Sequence, residues 1–485
     1  MAVAGPKPSM KVSLYFGLGY DQTTLDFVDV PIGNDLAVFA DPSRLRSLTS
    51  PWASECNSLL QHFFEVLLEH VVKGDEYNAK ILLSYLAERN EFHFGLSKSL
   101  SNGKAFGKKY ADRMWTALTK SAAAKSGLLT DIEDTCLFIE GVGPDRISDA
   151  VCNILRGPLV RYTQDACEFY GIPLVPNMNS GPIWNPDTGH WDNSLISLPA
   201  TPFGPLILVP KLIVRHKLIY DYSTYFTHHL LPAMQEHEKA MNTGLVHTLR
   251  DGRKRVTKKS LKEKYGADKL VIVEQTLRHP NALEEYRESA VRNSRPISHE
   301  RLADIENIAP PNLRGLLNDV TIIAPGKASA TAYEKAVEKL LTALFYPSLS
   351  HPTRQFRMHE GRKIVDIKFV NDPQGGFFHW LGMHYPASHI WVECKNYSDD
   401  LSNPEFDQLA GRFSPSKGQF GLLVCRSLEN PLAALKRSQD TARDRRGYIL
   451  VLTDSELSEL VSDYIENQGG SQYPLLRTKF NELIM

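Results

Sequence analysis

Ile364-Val365-Asp366-Ile367-Lys368 and Ile390-Trp391-Val392-Glu393-Cys394-Lys395 are the two runs on which the fold turns. Successive side chains alternate faces along a strand. Ile364, Asp366 and Lys368 therefore share one face of the first run, and Val365, Ile367 and Phe369 share the other. In the second run Trp391, Glu393 and Lys395 lie on one face, with Ile390, Val392 and Cys394 on the opposite one. Each carboxylate sits across the strand from apolar residues that can anchor it to a core. An Asp, a Glu and a Lys brought to one point are the groups that a magnesium-dependent phosphodiester hydrolase needs.

Regular structure extends outward from these runs. Residues 331–345 have helical spacing, with Val337, Leu340, Leu341 and Leu344 on the apolar side. A strand at 354–358 and a turn at Glu360-Gly361 lead into the Asp366 strand. A connection containing Gly, Phe and His joins it to the Glu393 strand. Residues 404–413 read as helix, 421–425 as strand, 431–443 as helix, 448–452 as strand and 455–465 as a closing helix. The order α-β-β-β-α-β predicts an α/β fold with a central mixed sheet flanked by helices.

The chain before this region is larger and less regular. At 485 residues two or three domains are expected. Residues 1–325 read as a mixed, helix-rich N-terminal domain that senses or positions substrate, and 326–485 as the C-terminal domain. Helical spacing marks 59–72, 79–86, 110–124, 147–170 and 220–242. Residues 135–139 and 205–214 read as strands, and 173–205, dense in Pro, Gly and Asn, as loops with short extended pieces. A sub-boundary is placed near 245–270. Four prolines (Pro296, Pro310, Pro311, Pro325) mark 293–325 as the linker.

Composition narrows the function classes. Hydrophobic residues make up 42% of the chain and charged residues 23%, as in an ordinary soluble protein. The formal charge is 55 − 56 = −1, so nucleic-acid binding would need local basic patches. No apolar run is long enough to cross a bilayer, and residues 1–11 lack the apolar core of a signal peptide. The six cysteines (Cys56, Cys136, Cys152, Cys167, Cys394, Cys425) contain no CxxC pair, which predicts a reduced, cytoplasmic protein without a disulfide framework or zinc site.

From about Ala330 to its end the chain resembles the PD-(D/E)xK, or restriction endonuclease-like, nuclease superfamily. Tyr333-Glu334, Val365-Asp366-Ile367, Val392-Glu393-Cys394-Lys395 and Asp407-Gln408 carry the likeness, with Val365 standing where the signature has Pro. The resemblance implies that Asp366, Glu393 and the backbone carbonyl of Cys394 hold Mg2+, for which Mn2+ substitutes. Oxygen ligands and retained waters suit that ion. Lys395 would orient and help deprotonate the attacking water, or stabilise the phosphorane. Glu334 matches the helix-borne acid that sits behind the site or binds a second ion, and Gln408 a helix Gln set against the site. The activity implied is that of a metal-dependent DNA endonuclease, by analogy in prokaryotic restriction or antiphage defence. Double-strand cleavage by a one-site chain calls for a homodimer. Two other readings are a nuclease acting on RNA or branched DNA and a non-catalytic nucleic-acid-binding protein that keeps the fold.

Other motifs speak less clearly. The stretch 250–264, including Arg253, Lys254, Arg255, Lys258 and Lys259, either grips phosphates or forms a solvated charge run. Arg412 is the basic residue expected nearest a backbone phosphate; Lys436, Arg437, Arg443, Arg445 and Arg446 form a second basic group. Gly141-Val142-Gly143 lacks the third glycine of a dinucleotide turn, since Arg146 stands there. His228, His229 and His237, and His379, His384 and His389, lack metal-ligand spacing. Phe377, Phe378 and Trp380 suit either stacking on bases or packing under the sheet.

Overall fold

The computed structural model describes residues 7, 9–95, 104–358, 363–373, 375–397, 399–467 and 469–485. The chain forms two compact units. One comprises Met1–Leu18, Val30–Ser47 and Pro51–Pro296; the other comprises Gly19–Asp29, Leu48–Ser50 and Ile297–Met485. No helix among the described residues is long and apolar enough to cross a membrane.

The first unit is mostly helical. Its longest helix, Pro51–Lys73, buries Ala53, Cys56, Leu60, Phe63, Phe64, Leu67 and Val71, the three- and four-residue spacing of one helix face. The helix predicted over 147–170 is two helices, Pro144–Ile154 and Arg156–Tyr170, parted at Leu155. The run 135–139 is not a strand: Asp134–Phe138 is helical, and Lys269 Nζ takes the carbonyls of Cys136 and Ile139 at its end. A short apolar run has no period of its own, and the Lys269 cap satisfies the helix's last carbonyls. The run 205–214 is buried but enters ladders only at its ends, with a 3-10 turn at Lys211–Ile213. Pro205 and Pro210 cannot donate to a ladder.

The second unit carries a five-stranded mixed sheet between helical layers. Its elements are α1 (Ala330–Phe345), β1 (Leu349–Met358), β2 (Lys363–Asn371), α2 (Gly376–His384), β3 (His389–Lys395), α3 (Asn403–Ala410), β4 (Phe420–Cys425), α4 (Pro431–Arg443), β5 (Tyr448–Thr453), α5 (Asp454–Glu466) and α6 (Pro474–Ile484). Spatial order follows chain order, β1 to β5. The β1–β2 and β2–β3 pairs are antiparallel, whereas β3–β4 and β4–β5 are parallel. The turn predicted at Glu360-Gly361 lies outside the described residues.

Alternation puts two cores on this sheet. Ile390, Val392, Leu422, Val424, Leu450 and Leu452 pack with α1, α2, α5 and α6. Trp391, Leu423, Cys425, Ile449 and Val451 pack on the other face with Phe406 and Leu409 of α3. One residue departs from simple alternation. Ile367 and Phe369 enter the first core, but Val365 enters the second. The break lies at Asp366, opposite Gln355, whose φ of 47° leaves the extended region.

The segment 293–325 carries helices at His299–Glu306 and Leu313–Thr321, and Leu313 and Val320 join the first core. Its prolines fall between helices rather than inside them, and Asn312 caps the second one through the Gly315 N–H. The connection between β2 and β3 is the helix α2, read from sequence as a loop because Gly376-Phe377-Phe378-His379-Trp380-Leu381 shows no polar face. Residues 19–29 are built into this unit too: Tyr20 Oη donates to Glu338 Oε2 at 2.9 Å, and the His351 N–H donates to Asp26.

Candidate metal-dependent active site

The β2–β3 ladder ends at Ile367–Val392, one residue short of Asp366 and Glu393. Beyond that point the strands are joined differently, because the Cys394 N–H donates to Asp366 Oδ2 at 2.8 Å. The N–H and C=O of one strand residue point to the same side. The Cys394 carbonyl therefore faces Asp366, on the side away from β4. Asp366, Glu393 and Cys394 thus lie together where the β2–β3 ladder ends.

Glu393 is 2% exposed, and its two oxygens have different surroundings. Oε1 accepts from Lys395 Nζ at 2.9 Å and from Gln408 Nε2 at 2.6 Å. Oε2 is buried without a hydrogen-bond partner among the described residues. Gln408 also accepts from Lys395 Nζ, at 3.4 Å. A buried carboxylate oxygen without a donor is costly, and a cation is the usual remedy. Among the described residues no group of three or more His, Cys, Asp or Glu side chains is placed to hold a metal ion. A magnesium site does not need one, since the ion keeps several waters.

Glu334 completes the group from α1. Both its oxygens accept from Gln355 Nε2, at 2.9 and 3.0 Å. Burial raises the carboxyl of Glu334, and the nearby charges of Asp366 and Glu393 add to the rise. Burial also raises Asp366, against the pull of the Cys394 N–H, Lys395 and Arg412. For Glu393, burial and then the charge of Asp366 push upward while Lys395 pulls down. Mutual repulsion of clustered carboxylates is the state that a bound cation relieves.

Local structure explains how these groups are held. In α3, Pro404 opens the helix and Glu405 reaches back to the Ser402 N–H at 2.9 Å, a capping interaction that aims Gln408 at β3. Asn396, directly after Lys395, donates to the carbonyls of Ala324 and Gly326 and to Ser329 Oγ. The end of β3 is thereby tied to the start of α1, which fixes Glu334 relative to Lys395. Neither Asn396 nor Gln355 was singled out from sequence. An Asn following the ExK run was the only available signal for Asn396.

The remaining sequence candidates are placed as follows. Arg412 Nε donates to the Ile364 carbonyl at 3.0 Å, and its charge lowers both Asp366 and Glu393, so it lies beside the site. Arg446 pairs with Asp407, Arg437 with Asn403 and Arg443 with Asp440, all on the surface. Arg253, Lys254, Arg255, Lys258 and Lys259 belong to the other unit. There Arg253 pairs with Asp251, Lys258 Nζ donates to the Thr227 carbonyl, and Lys259 faces Glu263. Phe377 and Phe378 are core residues, and Trp380 lies under Arg477, 3.2 Å from the ring centroid. Gly141 follows a helix rather than a strand, which removes the dinucleotide-turn context.

A family model described as a domain of unknown function, DUF8370, matches residues 17–221. None of Glu334, Asp366, Glu393, Lys395 and Gln408 lies within that match. No curated protein and no solved structure matches the chain.

Proposed function

We propose that the chain is a Mg2+-dependent nuclease of the PD-(D/E)xK type that hydrolyses phosphodiester bonds in DNA. The observation that carries this reading is the division of Glu393: Lys395 and Gln408 occupy Oε1, and Oε2 is left bare in a buried position. Asp366, Glu393 Oε2 and the Cys394 carbonyl would hold the cation, with Glu334 behind them. When bound, the ion supplies polarisation of the phosphate and acidification of a water.

The chain's own groups divide the rest of the work. An ammonium has three N–H donors. Lys395 directs two at Glu393 and Gln408, which leaves one for the attacking water or for a phosphate oxygen as charge grows there. Gln408 holds Lys395 and Glu393 together, which fixes the ammonium relative to the carboxylate. The Arg412 guanidinium, anchored by Nε to the Ile364 carbonyl, retains its terminal N–H groups for a backbone phosphate. Cleavage of both strands calls for two copies of the chain, and prokaryotic restriction or antiphage defence is the setting proposed by analogy.

The test is Mg2+-dependent cleavage of supercoiled plasmid, linear duplex, single-stranded DNA, branched DNA and RNA. Wild type is compared with Asp366→Ala, Glu393→Ala and Lys395→Ala. Cleavage of DNA by wild type and its loss in all three variants supports the reading. Cleavage retained by Glu393→Ala removes it, and a preference for RNA or branched DNA reassigns the substrate.

A further inference from the structure

We propose that Gln355 is a positioning residue of this site: its carboxamide holds Glu334 against Asp366 before any cation binds. The inference rests on the nuclease reading and adds a residue to it.

Gln355 stands in β1, the edge strand, directly opposite Asp366. Its neighbours are in register: Arg354 pairs with Ile367 and Phe356 with Val365. Gln355 and Asp366 alone drop out of the ladder there, and Gln355 adopts φ 47°. A side chain other than glycine avoids the left-handed region unless its surroundings impose it, and such residues gather at functional sites. The distortion delivers the amide nitrogen to both Glu334 oxygens, at 2.9 and 3.0 Å.

The carboxamide nitrogen spans both oxygens of the Glu334 carboxylate. An acid that the neighbouring charges of Asp366 and Glu393 repel is thus held by a neutral group. A Lys or Arg at this position would form ion pairs that compete with the cation, and an Asp or Glu would add repulsion. Gln supplies donors without charge, so the acids keep their charge for the ion. Residues that orient metal ligands commonly change metal affinity by about ten-fold or more when removed.

The experiment is calorimetric titration of the full chain with Mn2+, alongside its melting temperature. Gln355→Gly removes the amide and relaxes the backbone; Gln355→Met removes the amide but keeps the length. Both are expected to weaken Mn2+ binding about ten-fold. The melting temperature of Gln355→Gly should not fall. Adding Gln355→Gly to Glu334→Ala should cost no further affinity, because both changes break one interaction. Wild-type affinity in Gln355→Gly or Gln355→Met, or losses that multiply in the double variant, overturns the proposal. Asp366→Ala separates the two readings: if it binds Mn2+ as wild type does, the metal site itself is wrong, whatever Gln355 does.

Discussion

Two buried glutamates of the sheet unit, Glu338 and Glu393, make opposite use of burial. Glu338 is fully buried on α1, and both its oxygens are met by hydroxyls: Tyr20 donates to Oε2 and Thr342 to Oε1. Burial raises its carboxyl to about 7. Glu393 is buried almost as deeply, yet one oxygen holds two donors and the other none. A satisfied buried carboxyl cross-links the fold. A half-satisfied one leaves an acceptor without a donor, which is the basis of the proposed metal site. Glu334, one helical turn before Glu338, belongs with Glu393, since the charges of Asp366 and Glu393 reach it.

The comparison breaks most easily on activity. Glu393→Ala should lower DNA cleavage by about three orders of magnitude, the scale of losing a charge-stabilising group. Glu338→Ala should leave cleavage per folded molecule unchanged while costing about 2–3 kcal/mol of stability, read from urea denaturation. If Glu338→Ala abolishes cleavage in folded protein, the contrast between the two acids is lost.

A smaller effect concerns pH. The folded pKa of Glu338 lies above its unfolded value, so its contribution to stability is full at low pH and is lost as pH rises through about 7. Relative to Glu338→Gln in chelator, wild type should lose on the order of 2 kcal/mol between pH 5 and pH 8. A parallel pair of stability curves would show that the carboxyl is not held protonated.

Smaller still, Asp366→Asn should raise the melting temperature of the cation-free protein at pH 8 by roughly 1–2 °C. Burial makes the ionised form of Asp366 unfavourable, and the amide escapes that penalty while still accepting from the Cys394 N–H. A fall in melting temperature would mean that Asp366 stabilises the fold, like Glu338. At the bottom of the scale, Arg446→Ala breaks only an exposed pair with Asp407 and should shift stability by less than about 0.5 kcal/mol.

Strand alternation made Asp366, Glu393 and Lys395 legible, because the period of two is written into every residue of β3 and most of β2. Glu334 and Gln408 were named through the resemblance to the PD-(D/E)xK superfamily, on helices that flank these strands in the expected order. Gln355 was hidden, since a single residue leaving the extended region disturbs no pattern. Asn396 was hidden because its partners, the Ala324 and Gly326 carbonyls, are backbone atoms with no sequence identity. The apolar run at 135–139 was too short to reveal its period, and its helical state depends on Lys269, far along the chain. Helix α2 was missed for a related reason: Phe377, Phe378 and Leu381 are buried, and Trp380 is partly covered, so no polar stripe announces it.

The residues Gly19–Asp29 have a consequence for how the molecule is made. Tyr20 and Glu338 are 318 positions apart, so at ribosomal speeds the phenol waits roughly a quarter of a minute to a minute for its acceptor to be translated. The sheet unit is therefore assembled from segments translated far apart in time, Gly19–Asp29 and Ile297–Met485. A fragment started at Ile297 would carry Asp366, Glu393 and Lys395 but would bury Glu338 without its phenol. Expression of that fragment alone would keep the candidate site but lose one of the cross-links that steady the sheet unit.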